Sequence, residues 1–139
     1  MFLDLSDATS LVTIGYKAFR DTLITGTLVI PAKVHTIGPH AFDLTYLTGL
    51  DLSNANSLVT IERYAFFETG ITGTLVIPAN VMMIQKFAFY QYLNYEVGKW
   101  GKVTGLDLSQ AASLALIGEA AFLGTNIRGR IVTPFNIPI

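Results

Sequence analysis

Internal repetition constrains this chain more than any other feature of its sequence. The segment LDLSDATSLVTIGYKAF (residues 3–19) returns as LDLSNANSLVTIERYAF (50–66) and as LDLSQAASLALIGEAAF (106–122). A shorter version lies between these copies, as TLVIPAKVHTIGPHAF (27–42) and TLVIPANVMMIQKFAF (74–89), and RIVTPFNIPI begins another at Arg130. Self-similarity at a fixed period is typical of solenoids, whose units bury their apolar faces only by stacking. We therefore expect alternating long and short coils.

Each unit opens with apolar residues two positions apart, which predicts a strand that directs both side chains into the core. Strand starts are expected near residues 3, 28, 50, 75, 106 and 131, at spacings of 25, 22, 25, 31 and 25 residues. Apart from the 31, these spacings fall within the ~20–29 residues of leucine-rich repeats. The sequence thus predicts a single leucine-rich-repeat domain over residues 1–139, with about five to six coils and a parallel strand ladder, within a longer array.

The second half of each unit carries apolar residues three and four positions apart and ends in an Ala-Phe pair. Such spacings are typical of one helical face, so we expect short helical or 3₁₀ turns on the side opposite the strands. Phenylalanine would fill the space between layers. A recurrent glycine follows, which implies a positive φ or a close contact with a neighbour. These positions are Ala18-Phe19, Ala41-Phe42, Ala65-Phe66, Ala88-Phe89 and Ala121-Phe122, then Gly26, Gly49, Gly73, Gly105 and Gly129.

Composition excludes several function classes. The net charge is −1 and only 14% of residues are charged, so no basic stripe for nucleic acid is present. Cysteine is absent, which removes disulfides and thiolate ligands or nucleophiles. No apolar run is long enough to span a bilayer, and the opening MFLDLSDATS has no signal-peptide pattern. Phosphate-binding, hydrolase and metal-binding motifs are also missing, so we expect neither catalysis nor a cofactor.

Three aspartates recur between the paired core residues of the long units, so they are expected to face outward. Asp4, Asp51 and Asp107 would be ~9.6 Å apart across every second strand, too far for two of them to share one calcium ion. They are either solvated residues that discourage wrong strand pairing or a partner-binding row. His35 and His40 do not recur in other units, so we expect structural or surface roles and no metal site for them.

One insertion breaks the period. Fourteen positions separate Phe89 from Val103, where the other units take five, so nine extra residues lie here. They include Tyr92, Tyr95 and Trp100. Insertions in solenoids map to loops that often bind, and aromatic rings with a polar atom are favoured at interfaces. These residues are candidates for contact with a protein or a glycan, or they pack over the neighbouring coils.

Residues 28–42, LVIPAKVHTIGPHAF, and 75–89 resemble the BspA-type leucine-rich repeat, and the resemblance covers almost the whole chain. It implies a cell-surface or secreted protein, since such repeats occur in bacterial and protist proteins linked with attachment to host, matrix or cell proteins. The expected function is a non-catalytic protein-binding or adhesion module, and the alternative is a structural spacer. A cysteine common after Ala-Phe in that family is missing here. Apolar ends without polar caps also predict end-to-end self-association.

Overall fold

The fold is a solenoid of parallel strands. A computed structural model describes residues 1–91, 102–128 and 131, and every strand pair in these ranges is parallel. The predicted repeat solenoid with its parallel ladder is confirmed. The strands are β1 (Thr13–Ile14), β2 (Thr25–Val29), β3 (Thr36–Ile37), β4 (Tyr46–Asp51), β5 (Thr60–Ile61), β6 (Gly73–Val76), β7 (Met83–Ile84), β8 (Val103–Asp107) and β9 (Leu116–Ile117).

Two kinds of strand alternate along each coil. The short strands form one continuous sheet in the order β1-β3-β5-β7-β9, which sequence analysis did not single out. The long strands contain the predicted Leu28, Leu50, Leu75 and Leu106 but pair only as β2-β4 and β6-β8. Near Leu3 the first coil forms only an isolated bridge from Phe2 to Thr25. The ladder of long strands is therefore interrupted at every second coil, whereas the ladder of short strands is not.

The Ala-Phe side contains no helix among the described residues, so the predicted helical or 3₁₀ turns are wrong. The residue before each Ala-Phe pair instead takes a positive φ, as at His40 (57°) and Tyr64 (58°). Because this residue is left-handed, every second backbone amide of the segment points toward the next coil rather than along the chain. Phe42 N–H then donates to the Ala65 carbonyl, and Phe66 N–H to the Ala88 carbonyl, both at 2.8 Å. A third inter-coil ladder of hydrogen bonds results.

The phenylalanines form the central column of the core, as their spacing predicts. Consecutive rings are nearly parallel, with planes 5–9° apart and centroids 5.2–5.3 Å apart. Since neighbouring strands lie only ~4.8 Å apart, the rings are offset, the arrangement that aromatic quadrupoles prefer. The middle three rings are fully buried. The column consists of Phe19, Phe42, Phe66, Phe89 and Phe122.

The recurrent glycines show both expected features: a positive φ in the short coils and a close contact with the neighbouring coil in the long coils. Gly26 and Gly73 lie in β2 and β6 with φ of 81° and 78°. Gly49 and Gly105 lie in β4 and β8 without positive φ, but a Cβ there would sit 2.5 Å from a threonine Oγ1 of the preceding coil. The glycines therefore permit a left-handed residue in short coils and close stacking in long ones.

Candidate functional site: two grooves between the long coils

The turn after each long strand differs in length between the two kinds of coil. A long coil makes two successive turns, closed by Ala55 N–H to the Leu52 carbonyl (3.0 Å) and Leu58 N–H to the Ala55 carbonyl (3.2 Å). A short coil makes one turn, closed by Val81 N–H to the Pro78 carbonyl (3.3 Å). The longer turns consequently flank the shorter one from both sides.

The single turn of each short coil lies at the bottom of a groove. Groove A, of about 520 Å³, includes Val29, Pro31 and Ala32 of the second coil, with Thr9 on one side and Asn56 on the other. Groove B, of about 530 Å³, has the same construction two coils further along. It includes Val76, Pro78 and Ala79, with Ser53 and Asn56 on one side and Gln110 on the other. Asn56 borders both grooves, so they form one continuous surface.

The grooves lie where the ladder of long strands is interrupted. Leu50 to Ser53, at the end of β4, and Thr74 to Pro78, along β6, border groove B from opposite sides. These two strands are not paired in a sheet; the bond from Thr72 N–H to the Thr48 carbonyl (3.0 Å) lies before the groove. The same long-to-short junction borders groove A.

A row of alternating aspartate and valine crosses this face. The strand register places Val29 beside Asp51 and Val76 beside Asp107. Both valines are exposed, at 42% and 43%, and each lines a groove. Asp4 is exposed and the other two aspartates are half-buried, so the row faces outward as the sequence predicts. The surface thus alternates carboxylates with apolar depressions.

Each aspartate also closes a local turn. An Oδ1 atom accepts the amide of the serine two residues on, at 2.8 Å, in all three long coils. Hydrogen bonds from the Ser53 hydroxyl and amide lower the pKa of Asp51, and Ser109 lowers that of Asp107 in the same way. The Ser6 amide, then its hydroxyl, lowers the pKa of Asp4. Short coils have proline at the serine position, which offers no amide hydrogen, so valine replaces the aspartate.

The aromatic candidates Tyr92, Tyr95 and Trp100 lie outside the described residues. The chain on either side of them is held by Gln91, a buried residue that sequence analysis missed. Its Nε2 donates to the Ile71 carbonyl (2.9 Å), and its Oε1 accepts from Val103 N–H (3.0 Å). A single polar side chain among apolar ones was the only signal for it. The base of the insertion is therefore fixed between the third and fifth coils.

The two histidines lie apart from the grooves' aspartates. His35 is exposed, and its Nδ1 is 2.9 Å from the Lys33 carbonyl. His40 stacks on Tyr64, with centroids 4.7 Å apart, and its Nδ1 is 2.6 Å from Asp43 Oδ2. Across the described ranges, no group of three or more acidic, histidine or cysteine side chains could hold a metal ion. No helix in those ranges could cross a membrane.

Comparison with known families identifies the repeat. The profile described as "BspA type Leucine rich repeat region" matches residues 4–97 in six copies, which is more than half of the chain. The chain belongs to the BspA-type leucine-rich-repeat family. Such repeats are often modules of surface or secreted proteins, generally mediate protein interactions and are generally non-enzymatic. No curated protein and no solved structure matches the chain.

The first coil of this BspA-type array has an apolar outer surface. Phe2, Tyr16 and Leu23 are 62–69% exposed, and Leu3 and Leu5 are only partly covered. The equivalent strand residues Leu28 and Ile30 in the second coil are fully buried. End-to-end self-association through such a surface stays a prediction.

One carboxyl of the BspA-type repeat supports a pH-dependent prediction. Burial, then the nearby Asp43 charge, raises the pKa of Glu68 above its ordinary 4.5, while Lys102 opposes this shift. The charged form therefore costs stability at neutral pH, and the cost is lost as the pH falls through 4.5, because well below this value the carboxyl is protonated in both states. We expect Glu68→Gln to raise the melting temperature at pH 7 and to change it little below pH 4.5.

The exposed Glu119 provides the control. Glu119→Gln should leave the melting temperature nearly unchanged at both pH values. Thermal unfolding followed by circular dichroism across this pH range measures both variants. A Glu68→Gln variant that is less stable than the parent at pH 7 would contradict the prediction.

Proposed function

We propose that this chain is a non-catalytic protein-binding or adhesion module, and that its partner lies against grooves A and B. The supporting observation is that the two grooves share one construction and repeat at a two-coil interval, and that the exposed valine of each lies beside an aspartate of the next coil. The recurring core residues hold the stacked coils together. This stacking does not require Val29 or Val76 to be exposed. Exposed apolar surface bordered by polar groups is typical of protein interaction sites.

Filling the grooves tests this proposal. Ala32 and Ala79 are exposed, equivalent residues of grooves A and B, so tryptophan at both positions blocks the depressions without entering the core. Against a panel of purified extracellular-matrix and plasma proteins, we expect saturable binding of the parent by biolayer interferometry. The double variant Ala32→Trp/Ala79→Trp should weaken that binding at least about tenfold, as loss of a central contact does.

A matched control separates blocking from unfolding. Ala115 is exposed and lies outside both grooves, so Ala115→Trp should bind like the parent. Unchanged circular dichroism in all variants would show that the coils stay folded. Trp100→Ala and Tyr95→Ala in the same assay test whether the aromatic insertion adds to the interface. If the groove-filled variant binds every panel protein as the parent does, or the parent binds none, the chain is better described as a structural spacer.

A further inference from the structure

The geometry of the grooves points to one kind of occupant. We propose that grooves A and B, with the aspartates beside them, bind an extended polyproline-II segment that carries lysine or arginine at every third residue and lies along the solenoid axis. This inference rests on the proposed function, because it specifies the partner of the same surface.

Repeat distance is the first argument. Grooves A and B are two coils apart, and the aspartate row has the same two-coil period, since Val29 pairs with Asp51 and Val76 with Asp107. The continuous ladder of short strands stacks successive coils at one strand spacing, so two coils amount to ~9.6 Å. A polyproline-II helix has three residues per turn and rises ~3.1 Å per residue, so equivalent side chains recur every ~9.3 Å. A β-strand repeats on one face at ~6.6–6.8 Å and an α-helix at ~5.4 Å, so both fall out of register.

Surface chemistry is the second argument. Val29 and Val76 are open to solvent beside Pro31 and Pro78, so apolar rings of a ligand find apolar contacts in each groove. Asp51 lies between these two apolar sites, and its low pKa keeps it charged at neutral pH. A ligand with cations between its apolar residues is complementary to this pattern.

Backbone chemistry is the third argument. A polyproline-II segment forms no internal hydrogen bonds, and proline has no amide hydrogen, so the segment needs only donors for its carbonyls. Asn54 and Asn56 border groove A, and Asn56 and Gln110 border groove B, so carboxamide groups line the sides of both. Lys33 borders groove A and repels a cation there, and the described lining of groove B contains no cation. Groove B should therefore contribute more of the binding.

Two peptides of identical composition test the register. The probe Arg-Pro-Pro-Arg-Pro-Pro-Arg places cations at every third residue, and Pro-Pro-Arg-Arg-Arg-Pro-Pro clusters them. Exposed ion pairs are each worth about two- to threefold in affinity, and the spaced peptide can form two more of them. Fluorescence anisotropy should show the spaced peptide binding about fivefold more tightly at low ionic strength, and the difference should shrink as salt is added.

Charge-removing variants show where the preference arises. Asparagine can accept the same serine amide through its side-chain oxygen, so Asp51→Asn/Asp107→Asn should keep the turns and abolish the fivefold preference. Glu119→Gln removes a carboxylate away from the row and should preserve it. Equal affinities for the two peptides, or a preference that survives the double variant, would overturn the inference. If that happens while Ala32→Trp/Ala79→Trp still weakens binding to a panel protein, the proposed function stands with a partner of another shape.

Discussion

Replacing Phe66 with alanine is expected to lower the free energy of unfolding by about 3–5 kcal/mol, the range for deleting a buried aromatic ring. Phe66 is fully buried and stacks on Phe42 at 5.3 Å and on Phe89 at 5.2 Å. Alanine would remove both stacked contacts at once, each worth ~0.5–1.5 kcal/mol beyond burial. Because each coil contacts only its neighbours, the cavity would separate two halves of the array. Urea unfolding followed by far-UV circular dichroism measures the loss.

Phe122 provides the matched control within the same column. It is only partly buried, and its one ring contact in the described part of the chain is with Phe89, at 5.3 Å. Phe122→Ala should therefore cost clearly less than Phe66→Ala. If the two substitutions cost the same, or if Phe66→Ala costs under ~1 kcal/mol, the stacked column does not hold the coils together.

Gly124→Ala is expected to cost about 2–4 kcal/mol and to detach the fifth coil from the fourth. Gly124 has a φ of 80°, and an added Cβ would overlap the Gln91 carbonyl oxygen. Relief of the overlap displaces Gln91, whose side chain bonds the Ile71 carbonyl and the Val103 amide. Hydrogen exchange should show loss of protection in residues 103–128 before the rest of the array opens.

Substitutions at two other glycines distinguish the cost of backbone strain from the cost of steric overlap. Gly73 has a φ of 78° and nothing within 4 Å of an added Cβ, so Gly73→Ala should cost only the ~1–2 kcal/mol of a left-handed alanine. Gly15 has neither a positive φ nor a contact within 4 Å, so Gly15→Ala should be nearly neutral. Urea unfolding of the three variants should give this order. A Gly124→Ala variant no less stable than Gly73→Ala would show that the overlap is relieved without cost.

Residue spacing predicted the parts of the fold that stacking controls. The strand leucines, the phenylalanine column and the outward direction of Asp51 follow from side-chain periods of two residues and from repetition between coils. The glycines followed as well, because positive φ and close approach are the two reasons for a recurrent glycine, and Gly26 and Gly49 show one each. Whether Asp4, Asp51, Asp107 and the aromatic insertion bind a partner stays a prediction.

Backbone conformation was harder to predict where no residue type signals it. The spacing of three from Val34 to Ile37 and of four from Ile37 to Ala41 fits a helix, yet consecutive turns with His40 at positive φ satisfy the same spacing. His40 is replaced by lysine, tyrosine, phenylalanine or alanine in other coils, so no side chain marks the left-handed position. A threonine three residues after phenylalanine was a missed signal, since the Thr45 hydroxyl bonds the Phe42 carbonyl at 2.8 Å.

The grooves were not predicted because they depend on a difference between coils rather than on what the coils share. Five residues separate Leu52 from Leu58, whereas three separate Ile77 from Val81, and this two-residue difference was visible in the alignment. The groove that this difference produces can be recognised only from the position of one turn relative to the turns of the neighbouring coils. That position is a tertiary property, and each coil's local propensities do not contain it.

Because the pairing of the long strands is interrupted at every second coil, the unit that can be added to or removed from such an array is a pair of coils rather than one coil. Deleting a short coil alone would place two double turns side by side, closing a groove and bringing aspartates of neighbouring long coils to ~4.8 Å strand spacing. Like charges at that distance repel each other. Duplicating a pair would add one groove and one carboxylate in phase with the others. Genetic rearrangements that preserve function are therefore expected to come in whole pairs.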